Sequence, residues 1–194
     1  MKDNTQKLVL AALMAAFTCI ATMIIKIPTP TFGYVHLGDG LVLLSGITLG
    51  SLTGALSAGI GSMFADIFSG YVSYAPATFL IKALTAGAAG FLFHMMKNRI
   101  KSSAYTRSIC VITGGLIGEA IMVIGYFLYE AGVAAFASGG FTQAALYAGI
   151  ASSAVGIPFN IVQGVTGIVI ALVLLPVLLK IPVTKKNILS QPSV

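Results

Sequence analysis

Nine of the eleven lysine and arginine residues in this chain fall in three places: its two ends and one stretch near its middle. Lys2 and Lys7 open the chain, Lys97, Arg99, Lys101 and Arg107 mark the midpoint, and Lys180, Lys185 and Lys186 lie near the end. Everything between these clusters is apolar. Cytoplasmic loops of membrane proteins hold the Lys and Arg excess. Three clusters on one side require an even number of crossings before and after the middle one. The pattern therefore predicts an all-α integral membrane protein, multi-pass in the cell membrane, with both termini cytoplasmic.

Composition agrees: 57% of the residues are hydrophobic and 8% are charged, against roughly 25% charged in a soluble domain. A net charge of +6 would suggest a nucleic-acid partner in a soluble protein. Here the basic residues flank apolar runs, so the lipid bilayer accounts for them and no nucleic acid is expected. Cys19 and Cys110 lie inside apolar runs and read as buried free thiols. The first run, 8–25, has the length of a crossing and exceeds a signal-peptide core of about 7–15 residues.

Four runs are clear spans: 8–25, 77–96, 108–129 and 157–179. The stretch from Leu37 to Phe68 is too long for one, since its helix would measure about 48 Å against a hydrocarbon core of about 30 Å. Two crossings, about 38–49 and 52–68 with a turn at 49–52, bring the total to six and keep every basic cluster inside. The chain then reads as a single membrane domain over 1–194. Three loops, 26–38, 69–76 and 130–156, fall outside. Pro28 and Pro30 forbid helix in the first. Residues 141–155 of the third have the composition of a helix lying over the outer face.

Ionisable groups within a membrane are expensive and mark a cavity or a partner. Asp66 ends the third span and Lys82 opens the fourth, so the two are expected to form an ion pair, structural or ligand-binding, around the outer loop that holds Tyr71 and Tyr74. Asn160 and Gln163 share a helix face at the outer start of the sixth span. Tyr126 is a belt tyrosine or a ligand contact. Glu119 lies nearer the midplane, paired with a buried donor, protonated, or touching ligand. Asp39 can cap the second helix or meet ligand, and His36 sits in a loop able to act as a lid. His94 is placed at the inner end of its span. Apart from Glu119, these candidates lie in the outer half. In the inner half Ala11, Ala12, Ala15 and Ala16 form two overlapping small-xxx-small pairs, a surface that lets another helix approach closely.

No G-x-x-x-x-G-K-[ST] phosphate loop is present, and no H-E-x-x-H, G-x-S-x-G or paired His/Cys spacing. The chain is therefore expected to be no enzyme, with no metal and no cofactor. The segments 12–16, His36-Leu-Gly-Asp-Gly40, Ala65-Asp-Ile-Phe-Ser-Gly-Tyr71, Tyr74-Ala-Pro-Ala-Thr-Phe79 with Lys82, and Pro158-Phe-Asn-Ile-Val-Gln-Gly164 resemble the S components of energy-coupling factor (ECF) vitamin transporters. Within them the chain looks like the branch for hydroxymethylpyrimidine or vitamin B6 compounds, grouped with the riboflavin type. The resemblance implies six helices and an outward pocket covered by the first outer loop. It also implies that the alanine face meets a transmembrane coupling protein, which works with two cytoplasmic ATPases. A pyridine or pyrimidine ring suits the donors and acceptors of Asp66, Lys82, Asn160 and Gln163, with Tyr71 or Tyr74 to stack. Riboflavin is the larger alternative. An autonomous proton-coupled carrier using Asp66 and Glu119, and a purely structural membrane subunit, are the other readings that the residues leave open.

Overall fold

The structure, a computed structural model, describes residues 2–30, 33–97, 103–138, 140 and 142–190. Among them are α1 (Lys2–Ile24), a hairpin of β1 (Lys26–Pro28) and β2 (Tyr34–His36), then α2 (Asp39–Leu49), α3 (Ser51–Phe68), α4 (Ala75–Lys97), α5 (Ala104–Ala137), α6 (Gln143–Ala154), α7 (Ile157–Leu178) and α8 (Pro182–Ser190). Arg99 and Lys101 of the middle basic cluster lie outside the described residues.

The protein is an all-helical, multi-pass membrane protein. Helices α1, α3, α4, α5 and α7 are long and apolar enough to cross a bilayer. Helix α2 is shorter, 11 residues or about 16 Å. Protein rather than lipid surrounds it. It touches α1, α3, α4 and α7, and Val42, Leu43, Leu44 and Ile47 are fully or almost fully buried. A helix enclosed on all sides need not match the hydrocarbon thickness.

The break between α2 and α3 falls at Gly50, within the turn expected at 49–52. Its φ of 85° and ψ of 169° belong to a region essentially restricted to glycine. Close packing explains a second glycine, Gly46 of α2. A Cβ on Gly46 would stand 1.9 Å from the Ala86 carbonyl oxygen, and one on Gly90 would stand 2.4 Å from the Gly46 oxygen. The backbones of α2 and α4 therefore meet directly, which places the N-terminus of α2 beside the outer half of α4.

Two elements differ from the sequence expectation. Helix α5 has 34 residues, about 51 Å, and runs on past 129 to Ala137. Glu130 to Ala137 contains four alanines and no proline, so nothing stops the helix where the membrane run ends. Helix α6 then folds back on this extension, its Gly149 set against the Ala131 carbonyl. Helix α8 was not expected at all. It carries one fully buried apolar residue, Ile188, into the inner core with Leu44, Phe93 and Val111. Lys97 fastens it by donating to the Ile188 carbonyl.

Candidate functional site

Antiparallel pairing matches Lys26 with His36, Ile27 with Val35 and Pro28 with Tyr34. Side chains two apart on a strand share a face, so β2 turns Tyr34 and His36 together toward the helices. Beneath them is a polar pocket lined by Thr29, Gly33, Tyr34, His36, Asp66, Tyr74, Thr78, Tyr126, Glu130, Asn160 and Gln163. Its free volume is about 20 Å³, room for about one water. The hairpin is thus a closed cover.

The floor is a hydrogen-bonded ionic network. Lys82 Nζ and Asp39 Oδ1 form an ion pair between two side chains with no exposure. Gln163 donates from Nε2 to Asp39 Oδ2 at 2.7 Å, and its Oε1 accepts from the His36 backbone N–H at 2.8 Å. Four elements, α4, α2, α7 and β2, are joined by three side chains. His36 Nδ1 accepts from the Gly38 N–H at 3.0 Å. Burial holds the His36 ring down to a pKa of about 4, with Lys82 acting in the same direction and Asp39 opposing, so the ring is neutral at pH 7.

The pairing of Asp66 with Lys82 is corrected by this arrangement. Lys82 reaches the first residue of α2 rather than the last turn of α3. Asp66 sits higher, beside the hairpin, and accepts from the Tyr34 hydroxyl at 2.6 Å. Nor does Asp39 cap α2. Gly38 holds the cap position without a side-chain bond, and the Asp39 carboxylate points inward to Lys82 and Gln163. Tyr126 is not a belt residue: its hydroxyl donates to Thr78 Oγ1 at 3.1 Å, and Lys82 Nζ stands 5.3 Å from its ring centre. His94 is buried and bonds the Ile47 carbonyl through Nε2 at 2.9 Å.

Of the sequence candidates, His36, Asp66, Tyr74, Tyr126, Asn160 and Gln163 line the pocket, while Asp39 and Lys82 lie under it. Tyr71 stands behind the cover, its ring 4.7 Å from that of Tyr34. Glu119 is not brought to the pocket. It is buried deeper, against α7 at Gly164 and Gly167, and its carboxylate oxygens make no hydrogen bond. Tyr34, Thr78 and Glu130 line the pocket but were not among the candidates. Spacing pointed to each: Tyr34 two before His36 on a strand, Thr78 four before Lys82, and Glu130 four after Tyr126.

The four alanines divide. Ala11 and Ala15 are half-buried in the seam with α3, where the Ser57 hydroxyl donates to the Ala11 carbonyl at 2.7 Å and Gly61 abuts the Ala15 carbonyl. They pack in part within the protein. Ala12 and Ala16 are exposed.

The family model for the "ECF-type riboflavin transporter, S component" matches residues 2–180. This chain belongs to that family of S components. A Pyrococcus woesei protein described as "Uncharacterized protein in gap 3'region" is 32% identical over 108 residues, 55% of this S component and 66% of that protein, just under two thirds of its length. The solved S component of a bacterial ECF transporter superposes with a TM-score of 0.62 at 22% identity, covering 91% of this chain and 97% of that one. That superposition shows a shared fold. Among the described residues of this S component, no three His, Cys, Asp or Glu are grouped to hold a metal.

Proposed function

We propose that this S component is the substrate-specific, high-affinity binding subunit of an ATP-driven ECF importer. It takes a small aromatic heterocycle, a vitamin B6 compound or hydroxymethylpyrimidine, from the outer face. The observation that carries this reading is the closed pocket. Tyrosines and hydrogen-bonding side chains from five elements converge on it, and a hydrogen-bonded ionic floor lies beneath them. Aromatic walls with a few convergent polar groups suit a flat heterocycle. A heterocycle does not fit in 20 Å³, so entry requires the hairpin to lift. The ties that then open are Tyr34 to Asp66 and His36 to Gln163.

The subunit binds and does not catalyse. Energy comes from two cytoplasmic ATPases through a transmembrane coupling protein, because this chain has no phosphate loop of its own. The exposed pair Ala12 and Ala16 is the surface that the coupling protein approaches. Both termini lie in the cytoplasm, which sets the pocket outside. Riboflavin is the second reading, favoured by the description of the family that matches; it requires a wider opening of the same cover.

Calorimetry of the purified chain without ATP tests the proposal against pyridoxine, hydroxymethylpyrimidine, thiamine and riboflavin. One of the small heterocycles is expected to bind with Kd of about 1 μM or below, roughly −8 kcal/mol. Binding of riboflavin alone transfers the assignment to the second reading. No binding of any of the four to folded protein sinks the vitamin assignment.

A further inference from the structure

A far larger space than the covered pocket lies on the flank of the bundle, between α1, α2, α7 and α8. It is an open groove of about 460 Å³. Val9, Leu13 and Phe17, one turn apart on α1, form one wall, and Leu174, Val177 and Leu178 of α7 form another. Val9, Leu13, Phe17 and Val177 are about half exposed along it. The lining on α1 runs from Thr5 to Phe17, about 18 Å of helix. One leaflet of the hydrocarbon core is about 15 Å deep. Spread over that length, 460 Å³ makes a slot roughly 5 Å across, too narrow for a second helix of about 10–12 Å.

The polarity of the groove is one-sided. Its lining is apolar apart from Thr5, Gln6, Thr48 and Thr184. All four lie toward one end of the bundle, near the start of α1, the end of α2 and the start of α8. Thr48 donates to the Leu44 carbonyl. Thr184 is 1% exposed, and its hydroxyl is buried with no hydrogen-bond partner. The same end is basic. Segments 1–24 and 174–190 hold five lysines against one acid, Asp3. Lys7, Lys180 and Lys185 are exposed, and each adjoins a lining residue in the chain: Gln6, Ile181 and Thr184.

Within a bilayer such a groove does not stay empty, because atoms that line a void lose their dispersion partners. An acyl chain fills the apolar length. A phosphate at the polar mouth meets the lysines, whose long stems lie along apolar surface while the ammonium reaches outward. Thr184 offers it a hydroxyl donor with no competing bond. Basic recesses between membrane helices take anionic head groups in this way. A zwitterionic head group gains less, since its own ammonium is repelled by the lysines.

We propose that this groove binds one anionic phospholipid, with an acyl chain laid between α1 and α7 and the head group at Lys7, Lys180, Lys185 and Thr184. The site is separate from the covered pocket and stands whichever small molecule that pocket takes. In the proposed orientation it opens to the cytoplasmic leaflet.

Native mass spectrometry of the full purified chain tests this, with phosphatidylglycerol and phosphatidylcholine of the same acyl chains as probes. The first lipid bound is expected to be phosphatidylglycerol, preferred at least about tenfold at equal concentration. Lys180→Gln together with Lys185→Gln should shrink that preference toward parity. Val177→Trp fills the slot from a half-exposed position, and should remove the tight site for both lipids without lowering the melting temperature. Equal binding of the two lipids by the wild-type chain overturns the proposal. So does a preference that survives the lysine pair, or a tight site that survives Val177→Trp. A photoreactive benzoylphenylalanine in place of Leu13 adds an arm in intact membranes that needs neither variant. It is expected to crosslink to phospholipid; crosslinking to the coupling protein, or to a second copy of this chain, would give the groove to a protein and overturn the lipid site.

Discussion

Lys82 shows why a buried charge is identified by its partner rather than by its position along the chain. Its side chain is fully buried, and in low dielectric it persists only because Asp39 is there and Gln163 satisfies the second carboxylate oxygen. Removing the lysine alone strands an acid, which typically costs about 3–5 kcal/mol. Lys82→Met is therefore expected to lower stability in detergent by about that amount. Adding Asp39→Asn should restore most of it, since the amide can still bond Gln163. Asp66→Asn should cost far less stability, because one Asp66 oxygen has no partner to lose. Unfolding midpoints of the four proteins give the comparison. A Lys82→Met chain as stable as wild type but unable to bind ligand would place the lysine in the pocket instead of under it. Asp66 and Lys82 were legible in the sequence as costly residues, while Asp39 read as a helix cap or a ligand contact. Which acid met the lysine was not legible, because a residue's height on its own helix says nothing of how neighbouring helices are staggered. Glu130 was missed for a related reason: a loop was expected where the helix carries on.

At the scale of the element, α1 has two small-residue stripes that the sequence does not tell apart. Ala11 and Ala15 are occupied by α3, with Gly61 so close that its Cβ would stand 2.3 Å from the Ala15 carbonyl oxygen. Ala12 and Ala16 are exposed. Small residues in a membrane helix mark close approach, but the approach can be internal or to a partner. Leucine at both 12 and 16 is expected to abolish co-purification with the coupling protein and to stop uptake, with ligand affinity of the isolated chain nearly unchanged. Leucine at both 11 and 15 is expected to destabilise the folded protein by about 1–3 kcal/mol through overpacking. Wild-type assembly and transport by the first double variant would remove the docking role from that stripe. The membrane helices could be read in advance because apolar runs and the Gly50 break delimit them. Helix α8 could not, since its nine residues are of mixed polarity and it is tertiary contacts, among them Ile188 in the core and Lys97 on the Ile188 carbonyl, that hold it.

For the molecule as a whole, two polarities coincide. In the proposed orientation the basic clusters face inward and the covered pocket faces outward. In that orientation the charges that set the topology and the proposed binding pocket lie on opposite sides of the membrane. If the basic clusters set the orientation, every outer loop is open to reagents from outside and the start of α5 is closed to them. Ser73 lies exposed in the turn before α4, and Ala104 is exposed at the first residue of α5. The native thiols interfere little: Cys110 is buried and Cys19 partly so, and both can be replaced by alanine. In that background Ser73→Cys in intact cells is expected to react with a membrane-impermeant maleimide. Ala104→Cys should react only after the membrane is permeabilised. Among the described residues α4 is the element between the two sites, so the comparison reads that crossing and does not depend on the rest of the topology. Labelling of Ala104→Cys from outside, with Ser73→Cys protected, would invert the protein. The pocket would then open to the cytoplasm, and an importer's receptor would be facing the wrong compartment.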